Sequence, residues 1–217
     1  MSPMIPNAVL FDCDGVLVDS EPITDIVLIE SLASYGLILG PAEVTEMFTG
    51  GTLAGVEQSA RQLGADLPQD WLDGIYATIF AKLQAGTPLI AGVPELLDAL
   101  DARAIPYAIC SNGPMAKMRI TLGQHGLWDR FGGRIYSCHE HGAAKPAPDL
   151  FLRAARELGQ RPQDCAVIDD SAAGCRGGVA AGCRTLGFAE VSDPEGLRAV
   201  GTQPVRSMVE VRAALGL

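Results

Sequence analysis

Two short apolar runs that each deliver a pair of carboxylates constrain this chain more than any other feature. Ala8 to Phe11 (AVLF) leads into Asp12-Cys13-Asp14-Gly15, and Cys165 to Ile168 (CAVI) leads into Asp169-Asp170. A short uninterrupted apolar run reads as a strand buried on both faces, as in a parallel sheet. Open α/β sheets bind ligands beyond the C-terminal ends of their strands, so both acidic pairs are expected at one sheet edge. Two carboxylates ~4 Å apart repel by about 4 kcal/mol at an effective dielectric of 20. Four of them in one place call for a cation, and hard oxygen donors select Mg²⁺.

The rest of the chain supports that architecture. Further apolar runs occur at 106–110 (PYAIC), 134–138 (RIYSC) and 183–188 (CRTLGF), alternating with helix-like segments at 94–103, 114–125, 148–158 and 172–181. From residue 88 onward this is the alternation of a parallel α/β sheet with helices on both faces. Residues 20–87 show no comparable strand. They contain helical stretches at 21–35, 53–63 and 70–85, punctuated by Gly36, Gly40-Pro41, Gly50-Gly51, Gly64 and Pro68. The expected organisation is an α/β core from residues 1–19 and 88–217, with residues 20–87 inserted as a helical domain. Linkers near Asp19 to Pro22 and Gly86 to Gly92 would let the insertion move as a lid.

Composition excludes several classes of function. The 217 residues are 48% hydrophobic and 19% charged, a balance that folds rather than staying disordered. The formal charge of −10 opposes any long grip on a nucleic-acid backbone. It also repels a phosphorylated metabolite at long range, so such a ligand needs a local cation. The six cysteines form no C-x-x-C pair and read as reduced structural residues. Met1 to Pro6 lacks the features of a signal segment, and no run reaches the ~18 apolar residues of a membrane span. A cytoplasmic protein, monomeric or a weak homo-oligomer, with no membrane or nucleic-acid partner, is expected.

Within the acidic cluster the roles divide. Asp12, first after its strand, is the candidate nucleophile toward phosphorus. Asp14, two residues on, suits the general acid toward the leaving oxygen and then the base toward water. Ser111-Asn112-Gly113-Pro114 follows a predicted strand and opens a predicted helix, so a hydroxyl and backbone amides would meet there to cradle a phosphate. Lys145, in HGAAKPAPD, lies in a stretch too rich in proline to be helical, and its ammonium can neutralise the nucleophile and the phosphoryl group. Blander readings exist: Asp169-Asp170 as a helix cap, Asp-Gly as a turn, Lys145 as a surface lysine. His139-Glu140-His141 is not expected to bind metal, because the histidines are two apart. Trp71 and Tyr76 read as core of the inserted helices.

Four motifs in order, D-C-D-G-V-L-V-D-S-E-P, S-N-G, A-K-P-A-P-D and D-D-S-A-A-G-C-R-G-G, resemble the haloacid dehalogenase superfamily, and within it the β-phosphoglucomutase-like branch. The resemblance implies a Rossmann-like sheet with an inserted helical cap. It also implies an aspartyl-phosphate on Asp12, Asp14 as acid/base and as a backbone-carbonyl ligand, Ser111 and Lys145 on the phosphate, and Asp169 and Asp170 around Mg²⁺. Departures from the mutase matter for the reaction. Thr24 stands where the mutase has a hinge histidine, and Thr49 and Leu53, in FTGGTL, stand where its cap has a lysine and an arginine. The expectation is therefore a phosphatase, with water as acceptor, acting on a sugar phosphate or phosphogluconate-like metabolite. The alternatives are a phosphosugar mutase, a catalytically silent phosphate-ligand binding protein and, from another class, a signalling receiver domain, in which the acidic pair would come first.

Overall fold

The computed structural model describes residues 5–48 and 51–217. Thr49, one of the two positions compared with the mutase cap, and the first four residues lie outside that set. Six parallel strands form one sheet in the order β3-β2-β1-β4-β5-β6. They are β1 (Ala8–Phe11), β2 (Tyr107–Ser111), β3 (Ile135–Ser137), β4 (Cys165–Asp169), β5 (Arg184–Phe188) and β6 (Gln203–Val205). The chain moves outward from β1 to β3 and then returns to the other side of β1 for β4. The crevice of the sheet therefore opens between β1 and β4.

β1 is buried along its whole length because both its faces are covered. Val9 and Phe11 pack with Leu96, Leu97 and Leu100 of α5 (Val93–Asp101), with Met118 and Leu122 of α6 (Met115–Gly123), and with Phe131, which ends α7 (Leu127–Phe131). Ala8 and Leu10 face the opposite layer, where Leu150, Phe151, Ala154 and Ala155 project. Those four belong to α9 (Asp149–Glu157), which follows the short α8 (Cys138–His141). Alternation along a strand puts neighbouring residues on opposite faces. Covering both turns that alternation into a continuous apolar run, which is why AVLF and CAVI read as they do. After β4 come α10 (Ala172–Ala180), α11 (Pro194–Ala199) and α12 (Met208–Leu215).

Between β1 and α5 lie α1 (Glu21–Ser34), α2 (Pro41–Phe48), α3 (Leu53–Gln62) and α4 (Trp71–Gln84), the helical cap. They share a core of their own built on Leu28, Leu32, Val56, Trp71, Ile75 and Ile79. The return to the sheet is held in place: Gln124 Nε2 donates to Leu83 O at 2.8 Å, and Thr87 N donates to Gln124 Oε1 at 2.9 Å.

Several sequence expectations need adjustment. Gly40-Pro41 reads as a break, but Pro41 opens α2, a position where its missing N–H costs nothing. The helix expected over 114–125 is α6, and a further short helix, α7, follows it after Gly126 at a positive φ. Residues 189–217, unassigned from sequence, carry two helices and an edge strand. Trp71 is core, but Tyr76 is half-buried and lines the cavity under the cap. All six cysteines are free thiols, five of them buried. No described helix is long and apolar enough to cross a membrane.

Candidate active site

Asp12 follows the last residue of β1 and its N–H donates to Ile168 O at 2.9 Å. Phe11 is in register with Ile168, so Asp12 stands level with Asp169 at the C-terminal end of the neighbouring strand. Carboxylate oxygens of Asp12, Asp169 and Asp170 lie within 4.8 Å of one another, and all three residues are buried. The two acidic pairs, more than 150 residues apart in sequence, therefore meet.

Lys145 lies between them. Its Nζ donates to Asp12 Oδ1 and to Asp169 Oδ2, each at 2.7 Å, and sits 5.4 Å from the Phe151 ring centroid. Burial alone would lower the lysine, but the Asp12 and Asp169 charges outweigh it and hold the ammonium above its ordinary value. Asn112 fixes the lysine's backbone: Lys145 N donates to Asn112 Oδ1 at 2.8 Å, and Asn112 Nδ2 donates to Lys145 O at 3.3 Å. The Asn112 side chain thus clamps the lysine loop. Ser111 Oγ accepts the Gly113 N–H at 2.9 Å, and the Gly113 carbonyl accepts from Ser137 Oγ at 2.7 Å. These bonds draw the S-N-G turn tightly under the end of β2.

The adjacent residues Asp169 and Asp170 have separate surroundings. Asp169 Oδ1 accepts from Ser171 N at 3.0 Å and from Ser171 Oγ at 2.8 Å, while its other oxygen takes Lys145. Ser171, not either aspartate, caps α10 by accepting from Gly174 N. Asp170 Oδ2 is a buried oxygen with no hydrogen-bond partner among the described residues. A buried unpaired carboxylate oxygen is costly, and a cation in the cleft would satisfy it. Two glycines leave room for this arrangement. A Cβ on Gly15, whose φ is +72°, would lie 2.3 Å from Asp170 Oδ2, and one on Gly174 would lie 2.0 Å from Asp169 Oδ2. Asp12, Asp169 and Asp170 are thus able to hold a metal ion.

Three residues near Asp14 carried no role in the sequence reading. Lys117 Nζ pairs with Asp14 Oδ1 at 2.9 Å, and Ser20 Oγ donates to the same oxygen. Glu21, at the start of α1, lines the cleft and is raised to about 7 by burial and by Asp14, Asp25 and Asp12. Lys117 had one signal: it lies in the first turn of α6, where the helix dipole disfavours a cation. The other two had none, because their relation to Asp14 exists only once the chain folds back. As for the histidines, His141 accepts from Ser137 N through Nδ1 at 3.3 Å, and neither it nor His139 lies in the described acidic group.

Burial, with the neighbouring carboxylates, raises Asp12 from 3.8 to about 7 despite Lys145. Burial, with Glu21, Asp12 and Asp169, raises Asp170 well above its ordinary value. The folded ion-free protein therefore keeps protons that the unfolded chain gives up near pH 4, and stability falls as pH rises from about 4 toward 7. The slope is up to about 1.4 kcal/mol per pH unit for each such group. Thermal unfolding in chelator between pH 5 and 8 should show this loss, and Asp170→Asn should flatten it. An unchanged slope in the variant would mean that Asp170 is not a source of it.

The family model described as haloacid dehalogenase-like hydrolase matches residues 6–182. The chain is 32% identical over 184 residues to 6-phosphogluconate phosphatase of Escherichia coli, covering 84% of this chain and 82% of that protein. It is 30% identical over 200 residues to hexitol phosphatase A of the same organism, covering 88% and 87%. Among solved structures, a hydrolase of this family from Deinococcus radiodurans, crystallised with phosphate and sodium, superposes with a TM-score of 0.81 at 36% identity, over 100% of this chain and 96% of that one. The family match spans the whole stretch from the first acidic motif to the last, and the chain belongs to the haloacid dehalogenase-like hydrolases, as an enzyme of their phosphatase class.

Proposed function

We propose that the chain hydrolyses a small phosphomonoester, a sugar phosphate or phosphogluconate-like metabolite, with Mg²⁺ as its ion and an aspartyl-phosphate on Asp12 as intermediate. The observation that carries this reading is Asp12 itself: a buried carboxylate at the mouth of the sheet, held by one lysine and facing the cavity under the cap. Its free oxygen attacks phosphorus and the ester bond to the leaving alcohol breaks. Asp14 gives that alcohol its proton, then takes one from the water that attacks the aspartyl-phosphate. Lys117 and Ser20 fix the Asp14 carboxyl for both transfers.

Ser111 and Lys145 contact the phosphoryl oxygens. Gly113 and Asn112 add backbone groups, with the Asn112 side chain keeping Lys145 in place. Asp12, Asp169, Asp170 and the Asp14 carbonyl would surround the ion, with Asp169 also holding Lys145. When bound, Mg²⁺ supplies charge neutralisation among the carboxylates and polarisation of a phosphoryl oxygen. Residues 20–87 act as the cap that closes over a core of residues 1–19 and 88–217. Thr24 lines the cavity, but its hydroxyl donates to Ser20 O at 2.9 Å. It offers no base for activating a second sugar hydroxyl, which supports hydrolysis over mutase action.

The test is phosphate release from p-nitrophenyl phosphate and from a sugar phosphate, with Mg²⁺ and with excess chelator. Release should stop in chelator and return with Mg²⁺. Undiminished release without a divalent ion, or no release under any condition, would refute the reading.

A further inference from the structure

The cap wall opposite Asp12 is built without positive charge. In residues 20–87 the only cations are Arg61 and Lys82, and there is no histidine. Arg61 is taken up by Glu57 at 2.7 Å and by the carbonyls of Leu67 and Pro68 at 2.6 and 2.8 Å. Lys82 is exposed on α4 and is not among the cavity-lining residues. The two lysines that do line the cavity, Lys117 and Lys145, come from the sheet domain and are already paired with Asp14, Asp12 and Asp169.

What the cap presents instead is acid, the hydroxyls of Thr24, Thr52 and Tyr76, and hydrocarbon. Glu21, Asp25 and Leu28 line the cavity from α1, spaced so that they follow one another along one helix face. Glu21 opens α1 directly after Ser20, which holds the Asp14 carboxyl, and its charge bears on Asp170. Leu53 and Val56 from α3, with Ile79 and Phe80 from α4, complete an apolar wall. A leaving group extending from the phosphate is thus lined by carboxylates, hydroxyls and hydrocarbon. A second anion on it would meet no unpaired cation among the described lining residues, inside a protein of net charge −10.

Resting on the phosphatase reading above, we propose that the alcohol part of the substrate carries no second anionic group. It is a neutral or cationic alcohol, with hydroxyl or ammonium donors close to the ester oxygen and facing Glu21 and Asp25, and with its less polar flank against the cap. The substrate class is therefore a monophosphate of a neutral polyol, deoxy sugar or amino sugar. Aldonic acid phosphates and bisphosphates are disfavoured, which separates this chain from the substrate named in its 32%-identical relative.

The experiment compares two esters that differ only at the far end. Glucitol 6-phosphate ends in a hydroxymethyl group where 6-phosphogluconate ends in a carboxylate. With the Mg²⁺-loaded enzyme at fixed ionic strength, kcat/KM should favour glucitol 6-phosphate by about tenfold or more, the scale expected for one unit charge brought among carboxylates. The same order should appear in calorimetric binding to Mg²⁺-loaded Asp12→Asn, where turnover plays no part. Glucosamine 6-phosphate should match or exceed glucose 6-phosphate. Leu53→Lys, which places a cation on the cap wall, should move the first ratio toward 6-phosphogluconate by about tenfold. A wild-type preference for 6-phosphogluconate overturns the proposal whether or not that variant folds, as does an unchanged ratio in a folded Leu53→Lys protein. These outcomes leave the phosphatase reading standing provided p-nitrophenyl phosphate is hydrolysed, whereas absence of all hydrolysis removes that reading itself.

Discussion

Asp12→Asn is expected to lower kcat toward every phosphomonoester by at least about four orders of magnitude, the scale on which losing a covalent nucleophile acts. The amide matches the carboxylate in shape, so the packing at the end of β1 is preserved while the attacking oxygen is lost. The fold should not suffer. In the ion-free protein the Asp12 carboxylate is penalised by burial, its value rising to about 7, and Lys145 still has Asp169 at 2.7 Å. The midpoint of unfolding in chelator near pH 7 should therefore equal or exceed that of the wild type. A rapid acid quench with labelled ester should leave phosphate on the wild-type protein and none on the variant. Residual activity within tenfold of the wild type would remove Asp12 as the nucleophile.

Lys145→Ala should cost both activity and stability. Its ammonium is a preorganised positive charge at the nucleophile, and loss of one such donor typically costs about 10²–10³ in rate. Here the same deletion leaves Asp12 and Asp169 facing each other without a counter-charge. A fall in kcat/KM of about 10³ or more is expected. Removing one partner of a buried ion pair is destabilising by about 3–5 kcal/mol, so the ion-free variant should unfold at markedly lower temperature. Mg²⁺ should restore part of that loss, because it answers the same negative charge. Lys145→Arg should not rescue activity, since the longer, planar head group does not fit between Asp12, Asp169 and the Phe151 ring. Activity within tenfold of wild type in Lys145→Ala would return this residue to a purely structural role.

The parts of the fold legible beforehand were those where one physical demand dominated. A strand covered on both faces must be apolar throughout, so β1, β2 and β4 stood out as runs. Long helices such as α1 and α4 stood out as strand-free stretches bounded by glycine and proline. Elements whose sequence answered to several demands did not. β6 is three residues long, contains Pro204 and lies at the sheet edge, where a missing donor is tolerated. It carries no alternation to detect. Pro41 has the same composition signal whether it breaks a helix or begins one, and only the backbone around it distinguishes the two.

The same division holds at the site. Asp12, Asp14, Asp169 and Asp170 were legible because each follows an apolar strand, and the parallel fold brings such positions to one edge. Lys145, Ser111, Asn112 and Gly113 followed from the need for positive charge and backbone donors beside them. By itself, then, the sequence determined that carboxylates would gather at the end of a parallel sheet, where they could hold a cation, because strand burial is a local consequence of residue type. Only the tertiary structure decided which partners each of them meets. Asp169 turns to Lys145 and Ser171 while Asp170 keeps an oxygen unpaired among the described residues, Lys117 and Ser20 hold Asp14, and the cap offers acids, hydroxyls and hydrocarbon in place of cations. Those outcomes depend on distances between segments remote in the chain, which are set by packing.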